Sequence, residues 1–139
     1  MIKIPSIGDT ITPELGIDLC RRFGMHGVAD RVAEHPERYR AFEYDGCTGL
    51  PDDLFKRISF AGLDWGKITD LCCLPHDLGY AYGIPGDEAG RALQDYAFFE
   101  DLQFRAGVPE AVAAIFLDVV RRYGRTGYGA DFSWSFAVR

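Results

Sequence analysis

No run of about 18 consecutive apolar residues occurs anywhere in the chain, so a membrane-crossing helix is not expected. The most apolar stretch, Ala111 to Val120, contains Asp118 and is followed by Arg121 and Arg122. Proline is scarce, with 7 residues, and the 16 glycines follow no period, which excludes collagen and low-complexity arrays. Positive charge is also short. Fifteen Lys and Arg stand against 21 Asp and Glu, a net charge of -6 that repels phosphate backbones at long range, so no nucleic-acid partner is expected. Met1 to Gly8 lacks the apolar run of a signal peptide, and no export signal is expected there. The four cysteines (Cys20, Cys47, Cys72, Cys73) pull the other way, toward an oxidising or extracellular destination, and the localisation stays open.

What the chain does have is 47% hydrophobic and 26% charged residues over 139 positions, the composition of one globular domain spanning 1–139. Thr12-Pro13-Glu14 reads as a helix start, and Leu15, Leu19 and Phe23 recur at helical spacing, which predicts a helix over 13–23 ended by Gly24. A second short helix is expected over 28–34, and a turn or two over 37–42 after His35-Pro36. Residues 46–51 hold two glycines and a proline, a loop able to turn backbone carbonyls inward. A short helix over 52–60 and a connection over 61–67 follow. Thr69 then caps a helical segment through Cys72, His76 and Tyr80 to Gly83, with Pro75 either kinking it or marking its first turn. Asp87 opens a helix over 88–105 with Ala92, Phe99 and Leu102 on its apolar face, and Pro109 opens another to Arg122 whose stripe reads as core. Alternation of Phe132, Trp134, Phe136 and Val138 predicts a C-terminal strand with a buried face, preferred over a lipid-interface patch that would include Tyr128.

Chemistry concentrates in Asp70-Leu-Cys-Cys-Leu-Pro-His-Asp-Leu-Gly-Tyr80. His76 and Tyr80 share a helix face, while Asp77 is rotated by about 100°. Asp95 lies on the apolar stripe of the next helix, where an unpaired carboxylate is costly. The short Ile84–Asp87 connection makes the two helices antiparallel and brings Asp95 back to the level of His76. Such an aspartate fixes the imidazole tautomer and leaves the other ring nitrogen free to take a proton from water, a general-base dyad. Asp77, with carbonyls of the 46–51 loop, offers a hard-oxygen set suited to calcium, which would polarise an ester carbonyl. Zinc on Cys47, Cys72, Cys73 and His76 is disfavoured because adjacent helical cysteines diverge. His26 and His35 read as solvated, and Tyr80 either as a core-edge aromatic or as a donor to an aspartate.

Cys72-Cys73-Leu-Pro-His76-Asp77-Leu-Gly-Tyr80 resembles the Cys-Cys-x-x-His-Asp-x-x-Tyr signature of secreted phospholipase A2 enzymes, and is similar to their bacterial and parvoviral branches in lacking a further cysteine before the tyrosine. The resemblance covers roughly residues 44 to 104. It implies a mainly α fold, with a core of two antiparallel helices and a metal-binding loop, to which N-terminal helices and the short C-terminal strand are added. It implies His76 as general base, Asp95 as its orienting partner and Asp77 as calcium ligand. It further implies loop carbonyls of Gly46, Thr48 and Leu50 on the calcium, and a Cys47–Cys73 disulfide. The function expected is calcium-dependent hydrolysis of the sn-2 ester of glycerophospholipids at a membrane or micelle surface. The alternative is a catalytically silent phospholipase-like module with a binding, toxin or phage-associated role.

Overall fold

The computed structural model describes residues 3–46, 62–123 and 133–139. Helix α1 (Pro13–Arg22) starts where the Thr12 hydroxyl accepts the Leu15 N–H at 3.2 Å and Pro13 supplies a preset φ. Gly24, at φ +76°, reverses the chain into α2 (His26–Glu34), which begins two residues earlier than its apolar pattern predicts. A 3-10 turn over Pro36–Arg38 takes the place of the turns expected after His35. Strands β1 (Thr10–Ile11) and β2 (Phe42–Glu43) pair antiparallel, Thr10 opposite Glu43 and Ile11 opposite Phe42. Two-residue strands are too short to show a period of two, which is why the sequence pattern does not reveal them. The 52–60 helix lies outside the described residues.

The next helical segment starts earlier than the Thr69 cap suggests. Asp64 caps it, accepting the Lys67 N–H at 3.1 Å, and a helical turn over Trp65–Lys67 leads into a π-helical stretch, Ile68–Cys73. Helix α3 (Leu74–Ala81) follows without a break. Pro75 therefore lies within a continuous helical run, two residues after Cys73 ends the π-helical stretch, and a widened turn is where a helix can take a residue that lacks an N–H. The wide π turn bonds the Leu74 N–H to the Thr69 carbonyl, which also accepts the Tyr44 hydroxyl at 2.7 Å.

Helix α4 (Glu88–Phe104) is capped by Asp87 onto the Gly90 N–H at 2.9 Å. It closes through Gly107 at φ +69°, with the Val108 N–H bonded to the Leu102 carbonyl at 2.8 Å. Its buried face is Asp95, Phe98 and Leu102, one step round from the expected stripe, and Ala92 is exposed. Helix α5 (Glu110–Tyr123) buries Val112, Phe116 and Val119 of the expected stripe and Val120 besides, while Ile115, the fourth residue expected there, is partly buried.

Two apolar clusters share the interior. One joins Leu19, Ala29, Val32 and Tyr44 to Leu74, Leu78 and Tyr82; the other joins Cys72 and Cys73 to Phe98, Leu102, Val112 and Phe116. Helix α3 and the turn before it run between the two, so their side chains are held from both sides. Among the described residues no helix is long and apolar enough to cross a membrane.

The C-terminal strand is a correction. Residues 133–139 form successive turns, with the Phe136 N–H bonded to the Ser133 carbonyl and the Val138 N–H to the Ser135 carbonyl, and only Val138 makes a β-bridge, to Tyr39. Trp134 donates its indole N–H to the Ile84 carbonyl at 2.7 Å, and Ser135, at φ +69°, donates its hydroxyl to the Gly83 carbonyl at 2.7 Å. These bonds to the chain just past α3, about 50 residues away in sequence, hold the backbone out of the extended region despite the alternating pattern. Tyr128 and Phe132 lie outside the described residues.

Candidate active site

Helices α3 and α4 run antiparallel: Tyr80 meets Asp95, and four residues earlier His76 meets Phe98. His76 Nε2 lies 2.9 Å from Asp95 Oδ1, and the Tyr80 hydroxyl donates to the same oxygen at 2.6 Å. Of the two readings open for Tyr80, the donor is the one observed, from a buried position. A carboxylate can only accept, so the proton of the first bond sits on Nε2, which in the neutral ring leaves the lone pair on Nδ1.

The imidazole is fixed in plane as well as in tautomer. Its centroid is 4.4 Å from the Tyr80 ring and 4.6 Å from the Phe98 ring, with tilts of 38° and 34°. Trp134 packs edge-on against Tyr80 at 5.1 Å, so the C-terminal turns brace the far side of the hydroxyl donor. The His76 side chain is 11% exposed and that of Asp95 is 0% exposed. The ring thus reaches outward while its partner is sealed in. Burial first, and the Asp95 charge second, push the Tyr80 phenol above its ordinary value, which keeps it protonated and donating.

His76 lines a cleft of about 170 Å³ walled by Phe23, Met25, Pro75, Ala97 and Phe98. Gln94, Asp101 and Arg105 supply its polar lining, and Arg105 Nε pairs with Asp101 Oδ1 at 3.2 Å. An apolar wall beside an imidazole with a free lone pair is a place where an ester carrying an acyl chain could meet an activated water.

Asp77 projects from α3 beside His76 and is half-buried. Desolvation, reinforced by the Asp45 carboxylate, raises its pKa well above the usual range. Each of the two carboxylates thus disfavours the charge of the other. Gly46, which follows Asp45 in the chain, is buried at φ +65°, a backbone position that favours glycine, against Ile7 and Thr69. Thr48 and Leu50, the other carbonyls implied by the resemblance, lie outside the described residues.

The calcium centre is corrected in one respect. Among the described residues no group of three or more His, Cys, Asp or Glu side chains is placed to hold a metal ion, so a side-chain calcium centre is not what this structure presents. Asp95 offers no ligand to such a group, because it is buried and its Oδ1 takes the bonds from His76 and Tyr80. The disulfide expectation is narrowed too. No two described cysteines are joined to each other: Cys20 and Cys72 are free thiols, Cys73 is bonded, and Cys47 lies outside the described residues. Burial pushes both free thiols up to about 12. His26 and His35 are exposed, as expected of solvated histidines, and His35 Nδ1 is 3.2 Å from Glu37 Oε1.

Sequence reasoning missed Arg91, whose Nη1 lies 3.7 Å from Asp95 Oδ2. Its signal was the spacing of four between a cation and the buried carboxylate on one helix. It also missed Phe23 and Met25, which reach the cleft from the α1–α2 junction through tertiary packing that no local pattern encodes. Comparisons with family models, curated proteins and solved structures gave no match, so the phospholipase resemblance rests on the residues themselves.

Proposed function

We propose that this chain hydrolyses a carboxylic ester of a lipid, with glycerophospholipid at a membrane or micelle surface as substrate and the sn-2 ester as the bond cleaved. The observation that carries the reading is the His76 Nε2–Asp95 Oδ1 bond of 2.9 Å, made by a histidine lining an apolar cleft to a carboxylate with no exposure to water.

The chemistry follows from the tautomer. Nδ1 of His76 takes a proton from a water as that water's oxygen bonds to the ester carbonyl carbon. The imidazolium formed is stabilised by Asp95, whose charge the Tyr80 hydroxyl holds in place. When the carbon–oxygen bond to glycerol breaks, the imidazolium returns its proton to the leaving alkoxide, giving fatty acid and lysolipid and restoring the dyad. Asp77, with the Gly46 carbonyl, is where calcium would sit, and such an ion, when bound, supplies stabilisation of negative charge on the carbonyl oxygen.

Release of fatty acid from phospholipid–detergent micelles, with and without calcium, tests the reading. Calcium-dependent release that is lost in His76→Gln supports it. No release on any head group would assign the chain to the silent-module class.

A further inference from the structure

Asp95 has two carboxylate oxygens with different surroundings. Oδ1 takes both hydrogen bonds, from His76 and Tyr80, whereas Oδ2 is buried and accepts none. A buried anionic oxygen without a donor is costly, and what stands opposite it is Arg91 Nη1, 3.7 Å away. That guanidinium is placed from three directions. Its Nε donates to Glu88 Oε2 at 3.0 Å, its Nη1 donates to the Arg121 carbonyl at 3.3 Å, and one helical turn separates it from Asp95. Arg121 lies in the last turn of α5, where carbonyls lack intrahelical partners, so the α5 end gains a donor from the same group. The Arg91 side chain is 12% exposed while that of Glu88 is 66% exposed. The pair with Glu88 is thus solvent-screened and weak, and the charge of Arg91 acts mainly inward.

We propose that Arg91 is a positioning residue acting on His76 through Asp95: its guanidinium, beside the second oxygen, holds the sealed carboxylate turned so that the other oxygen faces the imidazole and the phenol. Apart from His76, it is the cation paired with Asp95 among the described residues. The groups facing the carboxylate are His76 and Tyr80 from α3 and Arg91 from its own helix, and the Arg121 carbonyl from α5 meets Arg91. Its consequence for rate rests on the general-base reading above; its consequence for the imidazole does not.

The test is nitrogen-15 NMR of the His76 ring in the full chain, together with the ester-release assay. The wild type should show a single tautomer, with a slowly exchanging proton on Nε2 and a lone-pair shift for Nδ1. Arg91→Met should lose the slow proton and average the two nitrogens, and its kcat should fall about tenfold or more with KM little changed, the pattern of a lost orienting group. Arg91→Lys, which keeps the charge, should restore both readouts in part. Arg91→Gln, which keeps a donor without charge, should behave like the methionine variant and serves if that one does not fold. Glu88→Ala should leave the ring signature unchanged. A folded Arg91→Met or Arg91→Gln with the wild-type signature overturns the proposal. If the signature changes while the wild type hydrolyses no ester, the positioning role stands and the hydrolase reading falls.

Discussion

His76 and Tyr80, one turn apart on α3 with rings 4.4 Å apart, aim their polar atoms at one oxygen of a third residue, Asp95 Oδ1. The hydroxyl bond, at 2.6 Å, is the shorter of the two. Two donors on one oxygen restrict the carboxylate, and an imidazole that donates to it from Nε2 favours that tautomer.

Tyr80→Phe should keep the ring contacts with His76 and Trp134 but remove one donor from a buried charge, lowering stability by about 2 kcal/mol. Urea unfolding with an unchanged m-value measures it. A loss near zero would mean that Asp95 does not depend on the phenol.

Gly83→Ala should also destabilise. A Cβ at this position runs into the Trp134 ring, whose indole is fixed by its bond to the Ile84 carbonyl. Overpacking of this kind costs about 2 kcal/mol, and thermal unfolding of the variant against wild type reads it. An unchanged midpoint would show that the C-terminal turns do not brace Tyr80 as described.

Cys20 and Cys72 should resist alkylation in the native protein at pH 8, because burial holds both thiols up to about 12 and out of reach of reagent. Iodoacetamide labelling followed by mass spectrometry should find both unmodified until denaturant is added. Labelling of either in the native state would contradict the burial.

Asp77 sets a pH dependence of stability. Its folded pKa is raised above its unfolded value near 3.8, so the folded state holds the proton more tightly. The associated stability is present below the unfolded value and is lost as pH rises through the folded one. Asp77→Asn should therefore be more stable than wild type at neutral pH and equal to it below about pH 3, where both are neutral. Millimolar calcium should raise the melting temperature of the wild type and not that of the variant. Equal response of the two proteins would remove Asp77 from any cation site.

The meeting of His76 and Asp95 was legible in sequence because two helix periods and a short connection are local quantities, and together they determine which turns face each other. The helix starts at Thr12 and Asp87 were legible for the same reason, since a cap is read within three residues. The C-terminal turns were not, because the alternation from Phe132 to Val138 suits a strand and what overrides it is nonlocal: Trp134 and Ser135 bonding to the end of α3. Pro75 left two helix starts open, and the π turn found there has its Thr69 carbonyl bonded to the Tyr44 hydroxyl, 25 residues away in sequence, a contact that no local pattern encodes. Arg91 was visible four residues before Asp95, but its link to the Arg121 carbonyl needed the packing of α4 on α5.

The most direct test of the central claim is the rate of fatty-acid release from mixed micelles by wild type and by His76→Gln, measured in parallel at saturating calcium. Removal of the base should cost a factor of about 10² or more while the variant keeps the wild-type unfolding curve. Equal rates in the two proteins, or no release by the wild type on any lipid head group, would contradict the assignment of His76 as the general base of a lipid esterase.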